Sequence, residues 1–180
     1  MSDRKAHPPS KELPTAQIST HLLRENGDFP NNPALPVMIY RGLFDTNFDP
    51  SRLEQIVKEN HWGGTWRNGI YPYHHYHSTA HELLVLCSGT AVVELGGEGG
   101  KVLKLETGDA IVLPAGVAHR KSDDSPEFEV LGAYPEGQDW DLCYGKPEER
   151  PDSDRRITRV KLPKADPFFG AAGPLLEEWH

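Results

Sequence analysis

Nine histidines occur among 180 residues, and four of them, His74, His75, His77 and His81, fall in one short stretch. Residues two apart on an extended strand point to the same side, about 7 Å apart along the backbone. His75 and His77 therefore project two imidazoles from one face, and imidazole is a favoured ligand of zinc, copper, iron and nickel. Glu82, five residues after His77, opens the next apolar run and can place a carboxylate oxygen beside them. His119 is a fourth candidate. It lies beyond a Gly108-Asp109 turn and Pro114-Ala115-Gly116, and antiparallel pairing would return it to the first two. The competing reading is a His-rich strand that lines a surface, with His119 an ordinary structural residue.

The elements that must position these residues are short strands. A chain of this length is expected to form one domain with a core that needs no disulfide staples. Its 17 Gly and 16 Pro argue against a helical bundle and for many turns. Strands are expected at Leu35–Tyr40, Thr65–Tyr71, Tyr73–His77, Glu82–Cys87, Thr90–Leu95, Lys101–Leu105, Ala110–Leu113, Val117–Lys121 and Glu127–Tyr134, with Gly-rich breaks between several of them. Even spacing of this kind predicts an all-β sandwich or barrel. One clear helix begins at Asp49-Pro50, a good N-cap followed by the residue suited to the first helical position. It buries Leu53, Ile56 and Val57 on one face, ends by Asn60–Gly64, and is expected to pack across the β core.

Two runs, Glu82–Cys87 and Ala110–Leu113, are apolar on both faces, so both faces must be covered, by the rest of the chain or by a second subunit; a homodimer is the expectation. Residues 1–16 read as a flexible N-terminal arm and residues 17–180 as one domain with a Pro-rich C-terminal extension. In that extension Arg156–Leu162 could add a strand, and Phe168-Phe169, Leu175-Leu176 and Trp179 look like anchors that dock the tail.

Net charge is −8, from 19 basic and 27 acidic residues, which sets aside nucleic acid and anionic membrane as partners. No apolar stretch resembles a signal peptide, and the longest apolar run, Leu83–Cys87, is far too short to span a bilayer. Cys87 and Cys143 form no framework. A reduced, cytoplasmic location follows as the expectation.

The spacing also resembles a known family. Gly69, five residues, His75-Tyr76-His77, four residues, Glu82, six residues and Gly89 is similar to the first cupin motif. Gly108, five residues, Pro114, one residue, Gly116, two residues and His119 is similar to the second, which usually closes with Asn after three more residues, where this chain has Asp123. The motifs cover residues 69–123, about a third of the chain. The flanks Trp66–Pro72, His74–Glu82 and Ala133–Asp141 resemble the YjlB-like group of small bacterial cupins over most of the chain. The resemblance implies a jelly-roll β-barrel with one or two peripheral helices and a metal inside. It implies His75, His77, Glu82 and His119 as the metal ligands. His74 should face away from His75, and His81 either replaces Glu82 or stands behind the ligands, with Glu82 ranked above it.

Three imidazoles and a carboxylate would leave two positions open on a six-coordinate ion, one for substrate and one for water or dioxygen. One divalent ion per chain is expected: iron, manganese or nickel suits such a site, and zinc more often settles for four ligands. Arg67, Tyr71 and Tyr73 share parity with His75 and His77 and could line the pocket, although Pro72 invites a bulge that would flip the register. Arg67 would suit a substrate carboxylate, or would simply pair with a surface acid. Trp62, Trp66, Tyr134 and Trp140 read as core or interface aromatics. Three functions remain open: a metal-dependent dioxygenase or isomerase acting on a small molecule, a non-catalytic ligand-binding or sensing cupin, and a metal-free, sugar epimerase-like cupin.

Overall fold

The two runs that are apolar on both faces lie at the centre of a six-stranded antiparallel sheet. In a computed structural model, which describes residues 16–180, nine strands form two antiparallel sheets. They are β1 (Gln17–Leu23), β2 (Asn32–Arg41), β3 (Trp62–Asn68), β4 (Glu82–Ser88), β5 (Thr90–Leu95), β6 (Lys101–Glu106), β7 (Ala110–Leu113), β8 (His119–Asp124) and β9 (Glu129–Pro135). The large sheet runs β1-β2-β7-β4-β9-β3 and the small one β6-β5-β8, a jelly-roll arrangement. β4 pairs with both β7 and β9, so it has no free edge.

The expected coverage of both faces comes from within the chain. Leu84, Leu86, Ile111 and Leu113 point between the sheets and meet Val93, Leu95, Leu103 and Leu105 of the small sheet. Leu83, Val85, Ala110 and Val112 point outward. Their cover is α1 (Pro50–Glu59), through Leu53 and Val57, and the tail residues Phe168, Leu175 and Trp179. The apolar faces that raised the expectation of a homodimer are thus buried by one protomer's own residues. Asp49 caps α1 by accepting from the Ser51 N–H at 2.9 Å, as its sequence predicts.

The tail anchors dock around Asp166. Its carboxylate is fully buried and accepts from the Tyr40 hydroxyl at 2.7 Å and from the N–H groups of Phe168, Phe169 and Leu175 at 2.9–3.1 Å. Burial, with the Asp166 charge beside it, holds the Tyr40 phenol well above its ordinary range.

One expectation falls outside the described residues, and the chain departs from the expected strands at three places. The N-terminal arm lies outside the described residues except for Ala16, which is buried against the core. β1 has no counterpart among the expected strands. Tyr73–His77 is no strand; Pro72, with no N–H to give, breaks the ladder, and only the bridges His75–His119 and Tyr76–Cys143 remain. Arg156–Leu162 is no strand either. Its first residues belong to a helix, α2 (Asp152–Ile157), which carries acids in its first turn and Arg155 and Arg156 in its last, matching the helix dipole.

Candidate metal centre

The turn glycines of the second half of the site are required by their backbone. Gly108 and Gly116 have φ of +96° and +94°, and a Cβ on them would collide with the carbonyl oxygens of Phe44 and Asn31. Gly116 also donates its N–H to the His77 carbonyl at 2.8 Å. That bond ties the loop before β8 to the histidine segment. Next to it, His75 and His119 exchange N–H···O bonds of 3.2 and 2.9 Å. The long loop from Gly69 to His81 is thereby laid along β8, and His119 is returned to His75. Near the end of β8, where the family pattern has Asn, Asp123 Oδ1 accepts from the Asp124 N–H at 3.0 Å.

These constraints bring His75, His77 and His119 together, with one ring nitrogen of each within 4.8 Å of the others, and all three are buried. Each Nδ1 faces a main-chain carbonyl: His75 that of Tyr73 at 3.0 Å, His119 that of Val117 at 3.0 Å, and His77 that of Asp141. A carbonyl only accepts, so each Nδ1 carries a hydrogen and, in the neutral ring, each Nε2 presents a lone pair. Glu82, at the start of β4, is also buried, and its Oε2 stands 3.2 Å from His77 Nε2 and 3.1 Å from His119 Nε2. Neither approach has hydrogen-bond geometry, and this oxygen has no other partner. The other oxygen, Oε1, accepts from the Tyr134 hydroxyl at 3.4 Å.

A buried carboxylate oxygen with no hydrogen bond is costly unless a cation completes it. Three imidazole lone pairs beside it are the donor set of a divalent transition metal, so the three buried histidines could hold a metal ion. The electrostatics agree. Burial, and then the nearby His119, push His75 down to about 3, so this ring is neutral and available as a donor. Burial alone would raise Glu82 and lower His77. Their mutual attraction overrides both effects: Glu82 is held below the usual carboxylate range, and His77 is raised.

Over the cluster opens a cavity of about 280 Å³. Its walls include Trp66, Ile70, Tyr71, Leu84, Tyr134 and Trp140. Trp140 was expected in a core or an interface, and here it is 48 % exposed at the mouth. It stacks on Tyr134 at 6.3 Å and turns an edge contact toward His77 at 5.5 Å. Arg67 lines the cavity, but its Nε and Nη2 both donate to Glu129 Oε1, at 2.9 and 2.5 Å. Tyr71 and Tyr73 are exposed and stack on each other at 5.0 Å; Tyr71 lines the cavity and meets His75 edge-on.

His81 turns away from the cluster. Its Nδ1 accepts from the Ala115 N–H at 2.9 Å, and its ring packs on Trp179. His74 also points elsewhere, against Phe29 and toward Glu94 and Glu98. Asp141 was absent from the expected site residues. Its carbonyl lies far along the chain from His77, and no spacing rule reaches it.

A jelly-roll whose two sheets enclose converging imidazoles and a carboxylate is the architecture of a cupin, and the cupin domain family model matches residues 67–130. The chain is 40 % identical over 163 residues to the uncharacterized protein YjlB of Bacillus subtilis (strain 168), a match spanning 91 % of this chain and 97 % of that one. The chain belongs to the YjlB-like cupins. Solved structures with partial overlap include dTDP-6-deoxy-D-glucose-3,5-epimerase from Legionella pneumophila, with 13 % identity, TM-score 0.37, and 67 % of this chain and 72 % of that one covered. Acireductone dioxygenase from Bacillus anthracis overlaps with 15 % identity and TM-score 0.34, over 48 % of this chain and 57 % of that one. Overlaps this low carry no argument about reaction. Among the described residues no helix is long and apolar enough to cross a membrane.

Proposed function

We propose that His75, His77, His119 and Glu82 hold one divalent transition metal ion, and that the cavity above it takes a small, largely apolar molecule for metal-dependent oxidation. The observation that carries this reading is the orphaned Glu82 Oε2 beside imidazoles whose Nδ1 hydrogens are committed to carbonyls. When bound, the metal would supply Lewis acidity and open positions for substrate and dioxygen.

The protein's own residues would orient the ligand and exclude water. Trp66, Tyr134 and Trp140 offer flat apolar walls. Tyr134, its phenol raised by burial, stays protonated and steadies Glu82 through Oε1. Arg67 already has its Nε–Nη2 edge engaged by Glu129. Beyond the four donors, the cavity lining holds no histidine and no carboxylate among the described residues. An isomerase needs a base that takes a proton from one carbon and returns it to another; oxygenation needs none, and the Tyr134 phenol, raised by burial, stays protonated and is a poor base. The lining therefore favours oxygenation over isomerisation.

Anaerobic loading with Fe(II), followed by nitric oxide, tests the reading. A high-spin iron–nitrosyl EPR signal is expected, together with dioxygen uptake that needs both iron and an added small molecule from a screen. Tight small-molecule binding with no turnover would move the protein to the ligand-sensing reading, and failure to retain iron or any other divalent metal would end the metal reading altogether.

A further inference from the structure

The three imidazoles are not held alike. His75 and His119 each give their Nδ1 hydrogen to the carbonyl two residues earlier, so each is oriented by its own segment. His77 gives its hydrogen to the Asp141 carbonyl, 64 residues further on, in the C-terminal extension. Four further contacts fix that carbonyl in place. Asp141 Oδ1 accepts from the Ser78 N–H at 2.6 Å, and Oδ2 accepts from the Ser78 hydroxyl. Arg156, on α2, donates from Nε to Ser78 Oγ at 2.7 Å and lies 3.6 Å from Asp141 Oδ2. Beside them, Tyr76 and Cys143 exchange two main-chain hydrogen bonds of 2.9 Å.

We infer that Asp141 is a positioning residue for the metal site: through Ser78 and Arg156 it locks the extension onto the histidine loop, and so fixes the tautomer and the aim of His77. The inference rests on the metal reading above. Groups that orient a metal-bound histidine from behind typically change metal affinity by 10–100-fold when removed. The Asp141 side chain does not itself reach the Nε2 cluster. Its removal should loosen the carbonyl that holds His77 while leaving His75 and His119 aimed as before.

The test uses the full chain, with zinc(II) affinity measured by competition with a chelator and imidazoles counted by pulsed EPR after copper(II) loading. Asp141→Ala should weaken zinc binding by about 10–100-fold and remove one imidazole from the copper signal. Asp141→Asn, which keeps the acceptor for the Ser78 N–H, should stay closer to the parent. Arg156→Ala, a milder cut at a half-exposed residue, should shift the same readouts in the same direction even if Asp141→Ala fails to fold. In a His77→Ala background, Asp141→Ala should cost no further affinity. An Asp141→Ala loss of the same size with and without His77, or parental affinity and imidazole count in both Asp141→Ala and Arg156→Ala, would overturn the inference. A parent that binds no zinc and no copper would overturn the metal reading, and this inference with it.

Discussion

Metal uptake should depend on pH through the proton that His77 must give up. Its Nε2 faces Glu82 Oε2 at 3.2 Å, in a buried setting. At an effective dielectric constant of about 20, two unit charges at that distance attract by about 5 kcal/mol. Burial opposes this attraction, and the attraction wins: His77 is raised above 6.5, its ordinary value, while Glu82 is lowered. Below the raised value the metal must displace a proton from His77, and above it there is none to displace. His75, pushed down to about 3, contributes no proton near neutrality. The His77 proton alone should therefore make apparent affinity rise about tenfold per pH unit, or about 1.4 kcal/mol, below its raised value, a share of the slope that vanishes above it. Glu82→Gln removes the largest influence that raises His77, leaving burial opposed only by the Asp141 carbonyl and charge, so the ring gives up its proton at lower pH. That variant should bind more weakly and show a shallower slope at the upper end of the parental window. Chelator competition in a series of buffers at constant ionic strength reads both. A Glu82→Gln protein that keeps the parental slope, or a parent with none, would refute the reasoning.

Two further outcomes concern the frame. Asp166→Ala leaves the Tyr40 hydroxyl and three N–H groups without their buried acceptor and should cost about 3–5 kcal/mol, read by denaturant unfolding; a loss below about 1 kcal/mol would mean that the tail docks by apolar contact alone. Gly116→Ala combines a left-handed backbone with a collision at the Asn31 carbonyl and should lower stability by about 1–3 kcal/mol or more and loosen the His77 segment; unfolding and zinc affinity measured together check it, and parental values in both would show that the loop adapts freely.

The helix at Asp49-Pro50 and the central strands were legible because local chemistry and hydrophobic pattern agree there. The motif residues were legible because Gly108, Pro114 and Gly116 punctuate the chain at fixed distances from His119. The register of Tyr73–His77 was not legible, since two bridges and a proline replace a ladder that alternation assumes. The place of Trp140 was hidden as well: an aromatic residue reads as core from its type alone, and only the fold puts it at a cavity mouth. The Asp141 lock was the least visible feature. It joins main-chain carbonyl to ring nitrogen across 64 residues, and neither partner's residue type announces it.

The central claim is that one metal ion sits among His75, His77, His119 and Glu82. Elemental analysis of untagged protein after loading and exhaustive buffer exchange tests it most directly, with His75→Ala, His77→Ala and His119→Ala carried in parallel. About one divalent ion per chain is predicted for the parent, with a large loss in each variant and no loss of fold by circular dichroism. A parent that retains no metal, or variants that retain as much as the parent, would contradict it.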